Sequence, residues 1–154
     1  MAEAKGKAKQ ARKRGAKVTA QPAPSIRVGG LLFARRVNSG STTTLEGIYD
    51  QISAGSFPAR VDQMNVWIRL FYSAAEIGAH QLELTIWDVA SGERVGSSGS
   101  ILTLPARPDR QHPSNDITFD LANAQLPHPG EYEFRLSIDA EHAASGWLTV
   151  TSSS

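Results

Sequence analysis

The chain has 154 residues, 40% of them hydrophobic, with no cysteine and a formal net charge of +1. This length predicts one domain, and the missing cysteine excludes disulfide staples, thiolate catalysis and cysteine-bound zinc. No apolar run approaches the roughly 18 residues of a membrane-spanning helix and no apolar signal segment follows the N-terminal charges, so a soluble cytoplasmic protein without membrane insertion is expected.

The small net charge hides a partition. All five lysines fall between Lys5 and Lys17. Residues 1–20 carry Lys5, Lys7, Lys9, Arg12, Lys13, Arg14 and Lys17 against Glu3, a balance of +6. The remainder has nine arginines against fourteen acids, a balance of −5. Between its charges the arm offers only small or polar residues and one valine. It cannot bury enough apolar area to offset its ordering entropy, so residues 1–20 are expected to be disordered. "QPAPS" (residues 21–25) follows as a stiff, polyproline-like linker, the sandwich is expected over 26–151, and 152–154 form a tail. An arm of this kind suits flexible electrostatic contact without sequence reading. Three roles compete for it: binding nucleic acid or another polyanion, weak attachment to an anionic membrane surface, or solubilising the chain by leaning on its own or a neighbour's acidic body.

From Ile26 onward the pattern predicts short strands separated by turn signals. Ile26–Val37 and Thr42–Ile52 flank the polar turn "NSGS". Met64–Tyr72 is apolar on both parities, as in a central strand. Gln81–Val89 alternates Leu82, Leu84 and Ile86 against Glu83, Thr85 and Trp87. "ASGE" turns the chain, "GSSGS" (Gly96–Ser100) reads as a flexible turn, and Ser100–Leu104 as the next strand. Asp116–Leu121 buries Ile117, Phe119 and Leu121. In "GEYEFRLSID" Tyr132, Phe134, Leu136 and Ile138 point one way while Glu131, Glu133, Arg135, Ser137 and Asp139 point the other, the mark of a half-solvated antiparallel strand. "ASGWLTVTS" is its expected partner. About eight strands in this length predict an all-β, two-sheet antiparallel sandwich of immunoglobulin-like or C2-like type, with a jelly roll as the runner-up.

"PGEYEFRLSID", its small-residue hairpin and the closing "WLTV" resemble the final hairpin of many bacterial immunoglobulin-like domains, where a proline-glycine turn leads into a tyrosine-bearing strand. Residues 26–151, with a "GIYD" segment after the first hairpin, also resemble a family of small bacterial immunoglobulin-like or C2-like sandwich proteins, a domain of unknown function. That resemblance implies the fold and no activity, and it leaves out the basic arm.

Chemistry-bearing residues are present without a chemical pattern. His80, His112, His128 and His142 show no metal-ligand spacing on a strand face, and His128 in "LPHPGE" reads as capping a turn. Asp88 with Glu93, and Asp109, Asp116 and Asp120, are the calcium candidates, but arginines intersperse the latter three and polar turn roles are the competing reading. The glycines of "VGG" (Val28–Gly30) read as a bulge. No serine sits in a nucleophile elbow. No enzyme activity, metal or cofactor is expected. On the surface, Trp67, Arg69 and Phe71 share one strand parity, with Trp87 outward on another strand; these four either present an aromatic platform for a sugar, base or protein or lie beneath the loops Ser73–His80 and Pro105–Asn115. The leading expectation is a non-catalytic binding or scaffold module whose arm contacts a polyanion. Its alternatives are a self-assembling viral or particle shell protein and a carbohydrate- or protein-binding module that uses the platform.

Overall fold

The computed structural model describes residues 26–154. The arm and linker, and with them the seven polyanion-binding candidates Lys5 to Lys17, lie outside the described residues. The chain order is β1 (Arg27–Ser39), β2 (Thr43–Tyr49), β3 (Gln51–Ala54), β4 (Ala59–Arg60), β5 (Asn65–Phe71), a single 3₁₀ turn (Ala74–Glu76), β6 (Gly78–Asp88), β7 (Arg94–Leu104), β8 (Ser114–Asp120), β9 (Gln125–Leu126), β10 (Gly130–Ile138) and β11 (Glu141–Ser152). A four-stranded sheet, β2-β1-β5-β8, faces a five-stranded sheet, β3-β11-β10-β6-β7, and β4 with β9 forms a two-stranded ribbon. The protein is an all-β immunoglobulin-like sandwich.

Strand alternation dictates the core. Val66, Ile68 and Leu70 on β5 are fully buried, and so are Tyr132, Phe134 and Leu136 on β10. They meet between the sheets, where the Phe33 ring packs edge-on against Phe134 at 4.8 Å. Tyr132 also fixes the chain at the start of β10. Its hydroxyl donates to the carbonyl of His128 at 2.7 Å and accepts the His128 N–H at 3.2 Å. A buried tyrosine bonding to backbone just upstream is the tyrosine corner of immunoglobulin-type sandwiches, and here it closes the "PHPG" turn.

Two segments differ from the sequence reading. Thr42–Ile52 is not one strand: β2 pairs with β1, and after Asp50 the chain crosses to the opposite sheet, where β3 runs parallel to β11 with Gln51 beside Thr149. "GSSGS" is not a turn. It lies inside β7, because β6 is eleven residues long and pairs with β7 from Gly78 opposite Leu104 to Trp87 opposite Arg94. The reversal occurs before it, at Gly92, with φ of 71°. The "VGG" bulge is present: the β1–β5 register shifts between Val28 and Gly30.

Candidate functional site

The platform candidates fall on two faces. β5 lies inside the four-stranded sheet, so its odd residues Trp67, Arg69 and Phe71 project from that sheet's outer side. Trp87 projects from the outer side of the five-stranded sheet, across the sandwich. The structure therefore brings Trp67, Arg69 and Phe71 together and separates Trp87 from them.

On the first face the bulge seats the aromatics. A Cβ on Gly30 would approach the Trp67 ring to 3.3 Å, and one on Gly29 would clash with the edge of the Phe71 ring. Trp67 is only 9% exposed. The Arg69 guanidinium lies over it, 5.2 Å from the ring centroid, and donates twice to Asp116 directly opposite on β8, at 2.7 and 2.8 Å. That bond holds the Asp116 carboxyl below its ordinary range. The loop Pro105–Pro113 is tied to Tyr72, whose hydroxyl donates to the Pro105 carbonyl at 2.7 Å.

The second face is more open. Trp87 donates its indole N–H to the Thr85 hydroxyl at 2.9 Å and carries the Arg135 guanidinium 4.5 Å from its centroid. Arg135 donates to Glu133 at 2.8 Å. Glu133 also accepts the Ser145 hydroxyl at 2.8 Å, and the two bonds, Arg135's first, lower its pKa. Trp147, opposite Glu133 on β11, stands 52% exposed. Glu83, Arg94, Ser137 and His142 complete a shallow depression around Trp87.

The histidines act at the ends of the β6–β10 pair. At one end His80 sets Nδ1 2.6 Å from Asp139 and Nε2 2.7 Å from the Glu76 carbonyl. At the other, His128 sets Nε2 2.8 Å from Asp88 and Nδ1 2.8 Å from the Pro129 carbonyl. Only an imidazolium donates from both nitrogens. Both histidines are accordingly pushed above their ordinary pKa, His80 chiefly by the Asp139 bond and His128 chiefly by the Pro129 carbonyl. Sequence reading missed these clamps because their members are 59 and 40 residues apart.

What these groups can do chemically follows from where their bonds end. Ser91 and His128 both donate to the same Asp88 oxygen, at 2.7 and 2.8 Å. A nucleophilic relay needs the serine on the histidine. Here the aspartate gathers both, along with the Ala90 N–H at 3.1 Å, in an arrangement that ties a turn. Asp120 accepts the Ala122 N–H at 3.0 Å, and Asp109 pairs with Arg110 at 4.0 Å. These calcium candidates are thus turn and ion-pair residues, and among the described residues no three acids, histidines or cysteines converge as a metal site would require. No helix among the described residues is long and apolar enough to cross a membrane.

Residues 32–151 match the model of the Family of unknown function (DUF6941), and the chain belongs to that family. No curated protein matches it. Among solved structures the chain is similar to an immunoglobulin-like protein of Pseudomonas aeruginosa, at 11% identity over 81% of this chain and 95% of that one, with a TM-score of 0.43. It is also similar to an alkylpurine DNA glycosylase of Pseudomonas fluorescens bound to DNA with an abasic site analogue, at 14% identity, 82% of this chain and a TM-score of 0.43. A β-glucosidase of Listeria innocua in complex with isofagomine gives 12% identity, 79% and 0.48. The chain spans 30% of that glycosylase and 16% of that glucosidase.

Proposed function

We propose that this chain is a non-catalytic immunoglobulin-like binding module whose basic N-terminal arm contacts nucleic acid without sequence preference. The partition of charge carries the reading. The arm holds +6, and the body, at −5, contains no lysine. The body's arginines are also engaged: Arg36, Arg69, Arg94, Arg110 and Arg135, five of the nine, pair with carboxylates of the body itself. Clustered basic residues release counterions from phosphates without reading bases, so the arm supplies affinity and leaves the sandwich to hold or present it.

Fluorescence anisotropy on random duplex and single strands tests this. The intact protein binds in the micromolar range or weaker, and log affinity falls against log salt with a slope of roughly −3 to −5. Removal of residues 1–25 abolishes binding, and the isolated arm peptide binds at least as well as the whole chain because the acidic body no longer opposes it. Undiminished binding by the truncated body would overturn the reading.

A further inference from the structure

We propose that β7 is a self-complementary sheet edge through which two copies of this chain pair, extending the five-stranded sheet across a twofold axis at Ser100. The sandwich has four edge strands, β2, β8, β3 and β7. An edge strand exposes unpaired backbone donors and acceptors, and proteins blunt such strands with charge, irregular backbone or shortness. Three edges here are blunted. β3 has four residues, β2 carries Glu46 and a left-handed Gly47 with φ of 63°, and β8 carries Asp116 and Asp120. β7 is not. Its eleven residues bear one charge, Arg94, at the first position, with neither proline nor charge from Val95 to Leu104. Its register against β6 is unbroken from Gly96 to Leu104. At its Gly96–Ser98 end an open cleft of about 560 Å³ lies beside the segment Asp120–Gln125.

An open edge accepts a strand, and the sequence of β7 says which. Gly96-Ser97-Ser98-Gly99 are all small and Ile101-Leu102-Thr103-Leu104 are all larger, with Ser100 between them. Antiparallel pairing of β7 with a copy of itself about Ser100 sets Ile101 opposite Gly99, Leu102 opposite Ser98, Thr103 opposite Ser97 and Leu104 opposite Gly96. Every large residue meets a small one, on both sides of the axis at once, as an isologous interface requires. Ile101, 77% exposed on the outer face, gains a flat glycine neighbour and a diagonal contact with the other Ile101. No like charges meet along the paired strands. Backbone hydrogen bonds supply the attraction, as in other β-augmentation interfaces.

A single-strand interface belongs to the small, weak class, below about 1,200 Å², so the test is concentration-dependent. Sedimentation of the full chain at roughly tens to hundreds of micromolar gives a monomer–dimer equilibrium. Ile101→Lys, a charge on the unguarded edge, raises the dimer dissociation constant at least about tenfold while the circular dichroism spectrum stays native. The chain has no cysteine, so single-cysteine variants report register cleanly. Ser100→Cys on the axis cross-links into a dimer with a short bismaleimide. Thr103→Cys does not, because its symmetry mate lies six residues away, about 20 Å. A chain that stays monomeric throughout that range overturns the proposal. So does a dimer that persists unchanged in Ile101→Lys or cross-links equally at both positions.

Discussion

Both outer faces of the sandwich carry a tryptophan, an arginine lying over it and a carboxylate holding the arginine, yet they make different surfaces. On the four-stranded sheet Trp67 lies against Gly30 of the neighbouring β1, and Arg69 reaches across to Asp116 on β8. The group spans three strands, and its indole is nearly buried. On the five-stranded sheet Arg135 bonds to Glu133 on its own strand, two residues earlier, and Trp87 and Trp147 flank that carboxylate from opposite sides. The same three side-chain types close one face and leave the other open. What differs is the neighbouring strand: a glycine notch in β1 makes room for the first indole, and among the described residues no glycine is placed against the Trp87 ring in the same way.

The largest effect that would break this comparison is truncation of the tryptophans. Trp67→Ala should destabilise by about 3–5 kcal/mol, the range for deeply buried aromatics, and Trp87→Ala by clearly less, read as urea midpoints. Equal losses would mean the two faces are packed alike. Next comes the notch. Gly30→Val should cost about 1–3 kcal/mol through overpacking against Trp67, with a change in tryptophan fluorescence that separates ring displacement from strand propensity.

Smaller effects appear as pH dependence. Asp116 and Glu133 both have lowered pKa values, so the stability they contribute is present above their unfolded values and is lost as pH falls through the folded ones. Thermal melts below about pH 4.5, where unfolded carboxyls begin to protonate, should lose a component of this acid limb in Asp116→Asn and another in Glu133→Gln. The smallest effect sharpens the contrast between faces and ends. His80 and His128 have raised values; their contribution is complete below about pH 6.5 and is lost as pH rises through the folded pKa. His80→Gln with His128→Gln should flatten the melting temperature between neutral and mildly alkaline pH. Because the His80 bond is the chief cause of the lowered Asp139 pKa, the pair should also remove that carboxyl's share of the acid limb while leaving the shares of Asp116 and Glu133 in place.

The parts of the fold legible in the sequence are those whose partners are nearby or whose periodicity is strict. The alternation of "EYEFRLSID" put Tyr132, Phe134, Leu136 and Ile138 inside, and all four are buried. The "VGG" bulge was legible because paired glycines in a strand have few other uses. "GSSGS" was not, since its composition signals a turn and only the length of β6 makes it strand. The crossing from β2 to β3 was hidden because β3's partner lies 98 residues on, at Thr149. Of the candidate site, the outward parity of Trp67, Arg69 and Phe71 was readable on one strand, whereas the opposition of Arg69 to Asp116 depends on a register that no local pattern encodes.

The parallel pairing of β3 with β11 also constrains how the protein is made. Gln51 leaves the ribosome 98 residues before Thr149, which at about 5–20 residues per second is a wait of roughly 5 to 20 s. Throughout that interval β3 has no strand to join, and the hydroxyl bond between Ser53 and Thr151, 2.8 Å long, cannot form. The five-stranded sheet therefore closes late in synthesis, and a nascent chain stalled short of β11 would display the unpaired edges of β3 and β10 to whatever binds extended strands in the cell.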